Sequence, residues 1–419
     1  MRSRLLKWLI CPVCRGELVI FVSKYSNSSI SEVDYDLLHA IAPIKDRDEV
    51  ENEIVSGALA CAACKVYYPI YNGIPRMLTY ITEAARVHRR ENALWIQEQL
   101  PGFTLPQCSA PPGEEDVLRN FSTQWTEFDW SGRCYWSTTP ERALDWMRYS
   151  LGTRTHPLRN KLALEVGIGM GAMADGISRT ENCEIVGVDL GYGVDRARQF
   201  FGQNHRLHVV QASVFALPFR RASFDVVYSH GVIHHTYSTR TAFSHLTRLP
   251  KENGMLYVWV YSHEDGATSS FRRVLMLIER AFRPTISRLP RSLQMIALAP
   301  ALPAYMLYQT LVRRRRMGPE AAVKYSWHEA LIAARDRLTP PFAYRHSYEE
   351  VAEWFRSESY GDLEFLRDES LPGGFPDDLV NLRVSVGIRG FSQRGPSPAY
   401  GTGAVLRYPD HMPRPVLNS

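Results

Sequence analysis

Leu162-Ala-Leu-Glu-Val-Gly-Ile-Gly-Met-Gly-Ala172 is an apolar run that passes into three alternate glycines, Gly167, Gly169 and Gly171. Only glycine lets a backbone turn this tightly and come close to a ligand, so the stretch reads as a strand entering a binding loop. Gly167, Gly169 and Ala172 also fit the dinucleotide fingerprint, which leaves the loop ambiguous by itself. Two carboxylates narrow it. Glu165 stands two residues before the first glycine, and Asp189 ends the next strand-like run, Glu184-Ile-Val-Gly-Val-Asp189. A carboxylate at such a strand end can accept hydrogen bonds from both hydroxyls of an adenosine ribose.

His208-Val-Val-Gln-Ala-Ser-Val-Phe-Ala-Leu-Pro-Phe219 reads as a third strand with the loop that would lie against adenine. Phe224-Asp-Val-Val-Tyr-Ser229 is a fourth strand, followed by Gly231-Val-Ile-His-His-Thr236, and Met255-Leu-Tyr-Val-Trp-Val260 is a fifth. With these blocks in this order, residues 160 to 262 resemble the class I S-adenosylmethionine-dependent methyltransferases, closest to the branch that methylates small molecules such as quinone precursors. The resemblance implies an α/β, doubly wound Rossmann-like sheet. It implies S-adenosylmethionine as cofactor, with Glu165, Gly167, Gly169, Gly171, Asp189, Leu190, Ser213, Val214, Ser229 and His230 as its binding residues. Ser213 departs from the pattern, because relatives usually carry an acidic residue there, near the adenine amine. The usual Pro-Gly-Gly turn before the fifth strand is here Pro250-Lys-Glu-Asn-Gly254.

Methyl transfer from a sulfonium is an in-line displacement with a neutral leaving group, so the enzyme mainly holds donor and acceptor in line. A base is needed only when the acceptor carries a proton that must leave. His230, His234 and His235 lie at the end of the fourth strand, the edge where open sheets bind ligands, and are the candidates. In the resembling family the His-His pair is often structural, and that reading stands beside the catalytic one.

Two C-x-x-C pairs, Cys11/Cys14 and Cys61/Cys64, have the spacing of two zinc knuckles. Four thiolates leave no open position for water, so such a zinc is structural. The closing Tyr68-Pro-Ile-Tyr-Asn-Gly-Ile-Pro-Arg-Met-Leu78 resembles the small zinc-binding activator subunit of tRNA and protein methyltransferases, fused upstream of the catalytic domain in some bacterial enzymes. The other three cysteines, Cys108, Cys134 and Cys183, stand alone, a usage that suits a reducing compartment. No secretory signal is evident, and cytoplasmic localisation is expected. With 45% hydrophobic and 22% charged residues, the 419-residue chain has an ordinary globular composition. Its formal net charge of +5 does not argue for nucleic acid.

The expected organisation is a zinc ribbon (1–80), a linker and aromatic bridge (81–130), a methyltransferase core (131–265) and a helical lid insertion (266–345). The last helix and strands of the core (346–390) and a disordered tail (391–419) complete it. Residues 101–116 are rich in Pro and Gly and read as linker. The block Phe121 to Trp130, with Tyr135 and Trp136, either walls the donor or acceptor or packs a helix before the sheet. In the insertion, Phe271, Val274, Leu275, Ile278 and Phe282 recur at helical spacing, then Ser292 to Val312 carries no charge and Arg313–Arg316 follow. A lid over an apolar acceptor is the first reading. A peripheral membrane contact through 271–316 at the inner face of the membrane is the second. A true span fits worst, given Pro300 and Pro303. Ser347 with Glu350 forms a capping box, and Tyr344 and His346 either reach the acceptor or anchor a loop. The resulting expectation is methyl transfer to a small, apolar or lipid-like acceptor. The alternatives are an RNA base methyltransferase with a ribbon that docks RNA, and a catalytically silent scaffold.

Overall fold

A computed structural model of the chain describes residues 1–127, 140–263, 270–303, 306–307, 327–366 and 385–393. Around the cysteine pairs, β1 (Val19–Asn27), β2 (Asn52–Cys61), β3 (Val66–Tyr71) and β4 (Ile74–Pro75) form a four-stranded antiparallel sheet. The insert between the pairs includes the helix Glu32–Ile41, whose first turn is capped by Ser31 Oγ accepting from the Asp34 amide at 3.1 Å.

The second sheet has seven strands: β5 (Leu162–Val166), β6 (Glu184–Asp189), β7 (Leu207–Gln211), β8 (Phe224–His230), β9 (Pro250–Tyr261), β10 (Tyr360–Phe365) and β11 (Ser385–Ser392). They run in the order β10-β11-β9-β8-β5-β6-β7. β7 through β9 are parallel, while β11 is antiparallel to both β9 and β10. All five residues of β5 and of β7 are buried, which is why neither strand alternates regularly between apolar and polar residues. The connection reverses between β5 and β8, opening a crevice at their carboxyl ends. β11 continues past the expected start of the tail, because Phe391 pairs with Met255 and Ser392 with Tyr360. Residues 394–419, the rest of that tail, lie outside the described residues, as do 381–384, Phe128, Trp130, Tyr135 and Trp136.

Ribbon and sheet domain share one buried core, in which Leu5, Trp8 and Leu9 pack with the sheet's Phe219 and Leu207. Polar contacts fix the register. The Met77 amide donates to the Gln211 carbonyl at 2.7 Å, so the segment after β4 extends the large sheet at its β7 edge. Arg76 bonds Asp195 at 2.6 and 3.0 Å. Arg4, fully buried, donates to both oxygens of Glu184 at the start of β6, at 2.7 and 2.9 Å, and to the carbonyls of Ala42 and Leu38. The expected linker is not free chain: Thr104 bridges to Val66, and Leu100 and Leu105 are buried against Ala58 and Tyr67.

In the helix Ser270–Ile286, Val274, Leu277, Ile278 and Phe282 are 52%, 64%, 44% and 56% exposed, so these residues face solvent, while the side chains of Phe271 and Leu275 lie outside the described residues. The inward side is organised by buried Glu279, which pairs with Arg337 at 2.9 Å, Arg345 at 3.5 Å and Arg283 at 3.6 Å. A buried carboxylate must keep its cations, and that requirement turns the helix. Among the described residues no helix is long and apolar enough to cross a membrane. Arg313–Arg316 lie outside the described residues, as do residues 304–305 and 308–312 of the uncharged stretch.

Candidate methyl-donor and zinc sites

At the carboxyl end of β5 the chain turns with Gly167, Gly169 and Gly171 all at positive φ, +92°, +55° and +84°. A Cβ on Gly167 would lie 2.1 Å from Val232 Cγ2, so both the dihedral and the space require glycine. Asp189, at the end of β6, accepts from the Gly169 amide through Oδ2 and from the Gly191 amide through Oδ1, each at 2.8 Å. This carboxylate therefore clamps the loop, and each oxygen retains a lone pair that a ribose hydroxyl could use. Burial holds its carboxyl above the usual range despite the amide bonds. Glu165 is buried and accepts from the Tyr228 hydroxyl at 3.0 Å. Burial, with a further push from Asp189, raises its carboxyl to about 8.

The helix Glu114–Glu127 lies across this edge. Near β7, Glu114 Oε2 accepts from Ser213 Oγ at 2.5 Å. Near β6, Ser122 Oγ accepts from the Tyr192 amide at 2.9 Å. Above the glycine loop, the Trp125 ring lies 3.0 Å from where a Gly169 Cβ would stand. Of the other expected donor-binding positions, Leu190 and Val214 are half-buried on the same edge, and the Leu190 carbonyl accepts from Gln211 Nε2 at 3.0 Å. Ser213 Oγ also accepts from the Phe215 amide at 3.1 Å. Ser229 is fully buried, and its hydroxyl donates to the Val166 carbonyl at 3.1 Å, so its side chain serves the sheet. The group fits S-adenosylmethionine: one buried orphan acceptor, Glu114 Oε1, beside the adenine-loop position, and two carboxylates around a loop with room for no side chain.

The three histidines separate by their partners. His230 Nδ1 bonds Tyr257 Oη at 3.0 Å, and its ring stacks on Trp259 at 4.7 Å with the edge of Trp146 4.4 Å away. Burial lowers it to about 3. His235 Nδ1 bonds the Phe342 carbonyl at 2.8 Å, which ties the strand end to the returning chain. His234 is fully buried, and neither ring nitrogen has a hydrogen-bond partner. Its ring lies 4.0 Å from that of Tyr261, whose hydroxyl donates to Asp336 Oδ2 at 2.8 Å. Among the described residues, His234 alone of the three has both nitrogens unengaged, while His230 and His235 each keep only Nε2 free. Tyr344 is 42% exposed, and His346 Nδ1 bonds Glu350 at 3.0 Å while Ser347 Oγ caps the Glu350 amide at 3.1 Å, so this segment anchors a loop. By composition Glu114 falls within the linker at 101–116. The run Glu114-Glu-Asp116 before an apolar pattern is a helix-start signal that would have found the helix, though not its partner.

In the ribbon, the sulfurs of Cys11, Cys14, Cys61 and Cys64 all lie within 4.8 Å of one another. Tetrahedral zinc with sulfur at about 2.3 Å places its ligands roughly 3.8 Å apart, which the cluster accommodates. Cys14 Sγ and Cys61 Sγ are 3.4 Å apart, too far for a disulfide, and Cys11 Sγ contacts Tyr68 Oη at 3.3 Å.

Residues 164–258 match a family described as methyltransferase domain, and residues 2–73 one described as Trm112p-like protein. The chain thus carries a class I S-adenosylmethionine-dependent methyltransferase domain. Ahead of it stands a Trm112-like domain whose four clustered cysteines suit zinc. The sterol 24-C-methyltransferase of Candida albicans is 26% identical over 172 residues, 38% of this chain and 46% of that one. The malonyl-[acyl-carrier protein] O-methyltransferase of Legionella pneumophila is 30% identical over 95 residues, 22% of this chain and 34% of that one. The chain spans about half the length, or less, of these curated relatives. The solved YcgJ protein from Bacillus subtilis aligns at 15% identity with a TM-score of 0.34, covering 61% of this chain and 100% of that one.

Proposed function

We propose that the chain transfers a methyl group from S-adenosylmethionine to a small, apolar or lipid-like acceptor, with the ribbon as a zinc-clamped module that stabilises the catalytic sheet. S-adenosylmethionine supplies, when bound, a methyl on a sulfonium whose sulfur leaves neutral. The carrying observation is the loop at Gly167–Gly171, held by Asp189 and flanked by Glu165 at the strand-order reversal. Glu165 and Asp189 would bind the donor. Trp146, Trp259 and Tyr261, clustered around His230 and His234, favour an apolar acceptor. His234 is the base in this reading where the acceptor must lose a proton, because both of its nitrogens are unbonded whereas His230 and His235 each commit Nδ1 to a partner. The outward stripe of Val274, Leu277, Ile278 and Phe282, with exposed Arg280 and Arg288 beside it, supports contact with an anionic lipid surface from which such an acceptor would be drawn.

The test is a host extract incubated with labelled donor and either wild type or Glu165→Ala. Label in the lipid or small-molecule fraction, lost with Glu165→Ala, is the expected result. Label in RNA would favour the alternative that the ribbon keeps open. Equal labelling by both proteins would overturn the assignment of the pocket.

A further inference from the structure

The adenine end of the donor cleft lacks an acid in its own loop, where the chain has Ser213. The Ser213 hydroxyl is already engaged, donating to Glu114 Oε2 at 2.5 Å and accepting from the Phe215 amide at 3.1 Å. Glu114 is 5% exposed, and its second oxygen, Oε1, is buried without a hydrogen-bond partner. The Tyr80 hydroxyl, close enough to favour the charged form, stands outside hydrogen-bond geometry and is itself unbonded. A buried carboxyl oxygen is costly unless a donor reaches it. Burial raises this carboxyl to about 7, against the Ser213 and Tyr80 hydroxyls, which favour its charged form.

The same helix face reaches the other parts of the cleft. Glu114, Ser122 and Trp125 are spaced i, i+8, i+11, which places them on one side of a helix over about 17 Å. They meet, in turn, the ends of β7, β6 and β5.

We propose that Glu114 is the acceptor for the 6-amino group of adenine, supplied by the segment between ribbon and sheet in place of the acid missing at Ser213. The proposal rests on the S-adenosylmethionine reading above. Ser213 is a positioning residue: it holds Oε2 and aims Oε1 at the ring. An adenine amine donates to that oxygen, whereas hypoxanthine presents a carbonyl there and meets lone pairs with lone pairs.

The test is calorimetric titration of the full chain with S-adenosylhomocysteine and S-inosylhomocysteine. Wild type should prefer the adenosyl compound by roughly 10- to 100-fold, the range of a hydrogen bond to a charged acceptor. Glu114→Gln, which keeps the shape and offers both an acceptor and a donor, should bring the ratio near one. Ser213→Asp added to Glu114→Ala should restore the preference, by returning a carboxylate to the loop. If Glu114→Gln weakens both ligands equally while the fold is intact by circular dichroism, Glu114 is only a clasp for its helix and the proposal falls. Full preference in Glu114→Gln overturns it as well. Failure of folded wild type to bind either compound would instead bring down the S-adenosylmethionine reading itself.

Discussion

Replacing Arg4 by Met should cost about 3–5 kcal/mol of stability, the range for breaking a fully buried ion pair from one side. Arg4 and Glu184 are both 0% exposed. The guanidinium makes two bonds to the carboxylate, at 2.7 and 2.9 Å, and two to the Ala42 and Leu38 carbonyls, at 2.7 and 2.5 Å. Without it, Glu184 keeps His208 at 2.8 Å as its one remaining charge-capable partner among these, and two carbonyls lose donors. Glu184 now sits below the ordinary carboxylate range because His208 and Arg4 outweigh its burial. Its folded value is depressed, so its contribution is present above the unfolded value and is lost as pH falls through the folded one. Urea unfolding of wild type, Arg4→Met, Glu184→Met and the double variant, followed by tryptophan fluorescence, gives the coupling directly. The double variant should be less destabilised than the sum of the singles by about 2 kcal/mol or more, since two apolar groups replace the pair without leaving a buried charge. A cost under about 1 kcal/mol for Arg4→Met, or additivity of the two changes, would refute the claim that this pair clasps ribbon to sheet.

Glu165 sets a second pH dependence: its folded value of about 8 lies above that of an unfolded carboxyl, so its stability contribution is full below about 4.5 and is lost as pH rises toward 8. Ligand-free wild type should lose roughly 1.4 kcal/mol per pH unit from this group across that window, and Glu165→Gln should remove the slope in thermal melts taken from pH 5 to 8. Gly167→Ala should abolish S-adenosylhomocysteine binding, and adding Val232→Ala should recover only part of it, because the clash with Val232 is relieved while the +92° φ remains. Cys61→Ser should leave the chain short of one zinc by elemental analysis and lower its melting temperature, since the ribbon shares its core with the sheet. Leu277→Ser with Phe282→Ser should change stability by no more than about 0.5 kcal/mol but reduce flotation with anionic vesicles; unchanged flotation would remove the lipid-surface reading.

The sequence by itself carried the parts whose signal is local. The apolar run into Gly167–Gly171, the strand order up to β9, Asp189 at a strand end and the four cysteines at knuckle spacing are all legible within a few residues, because strand burial, tight turns and metal bites are short-range demands. The tertiary structure decided what depends on partners far apart in the chain. Ser213 meets Glu114 across 99 residues and Arg4 meets Glu184 across 180, and no periodicity encodes either pairing. Among His230, His234 and His235, only packing told which ring was engaged by Tyr257 or by the Phe342 carbonyl and which was left unbonded. The helix Ser270–Ile286 shows the same division most sharply. Its amphipathic pattern was evident from spacing, but the direction it faces was settled by the need of one buried carboxylate, Glu279, for the guanidiniums around it.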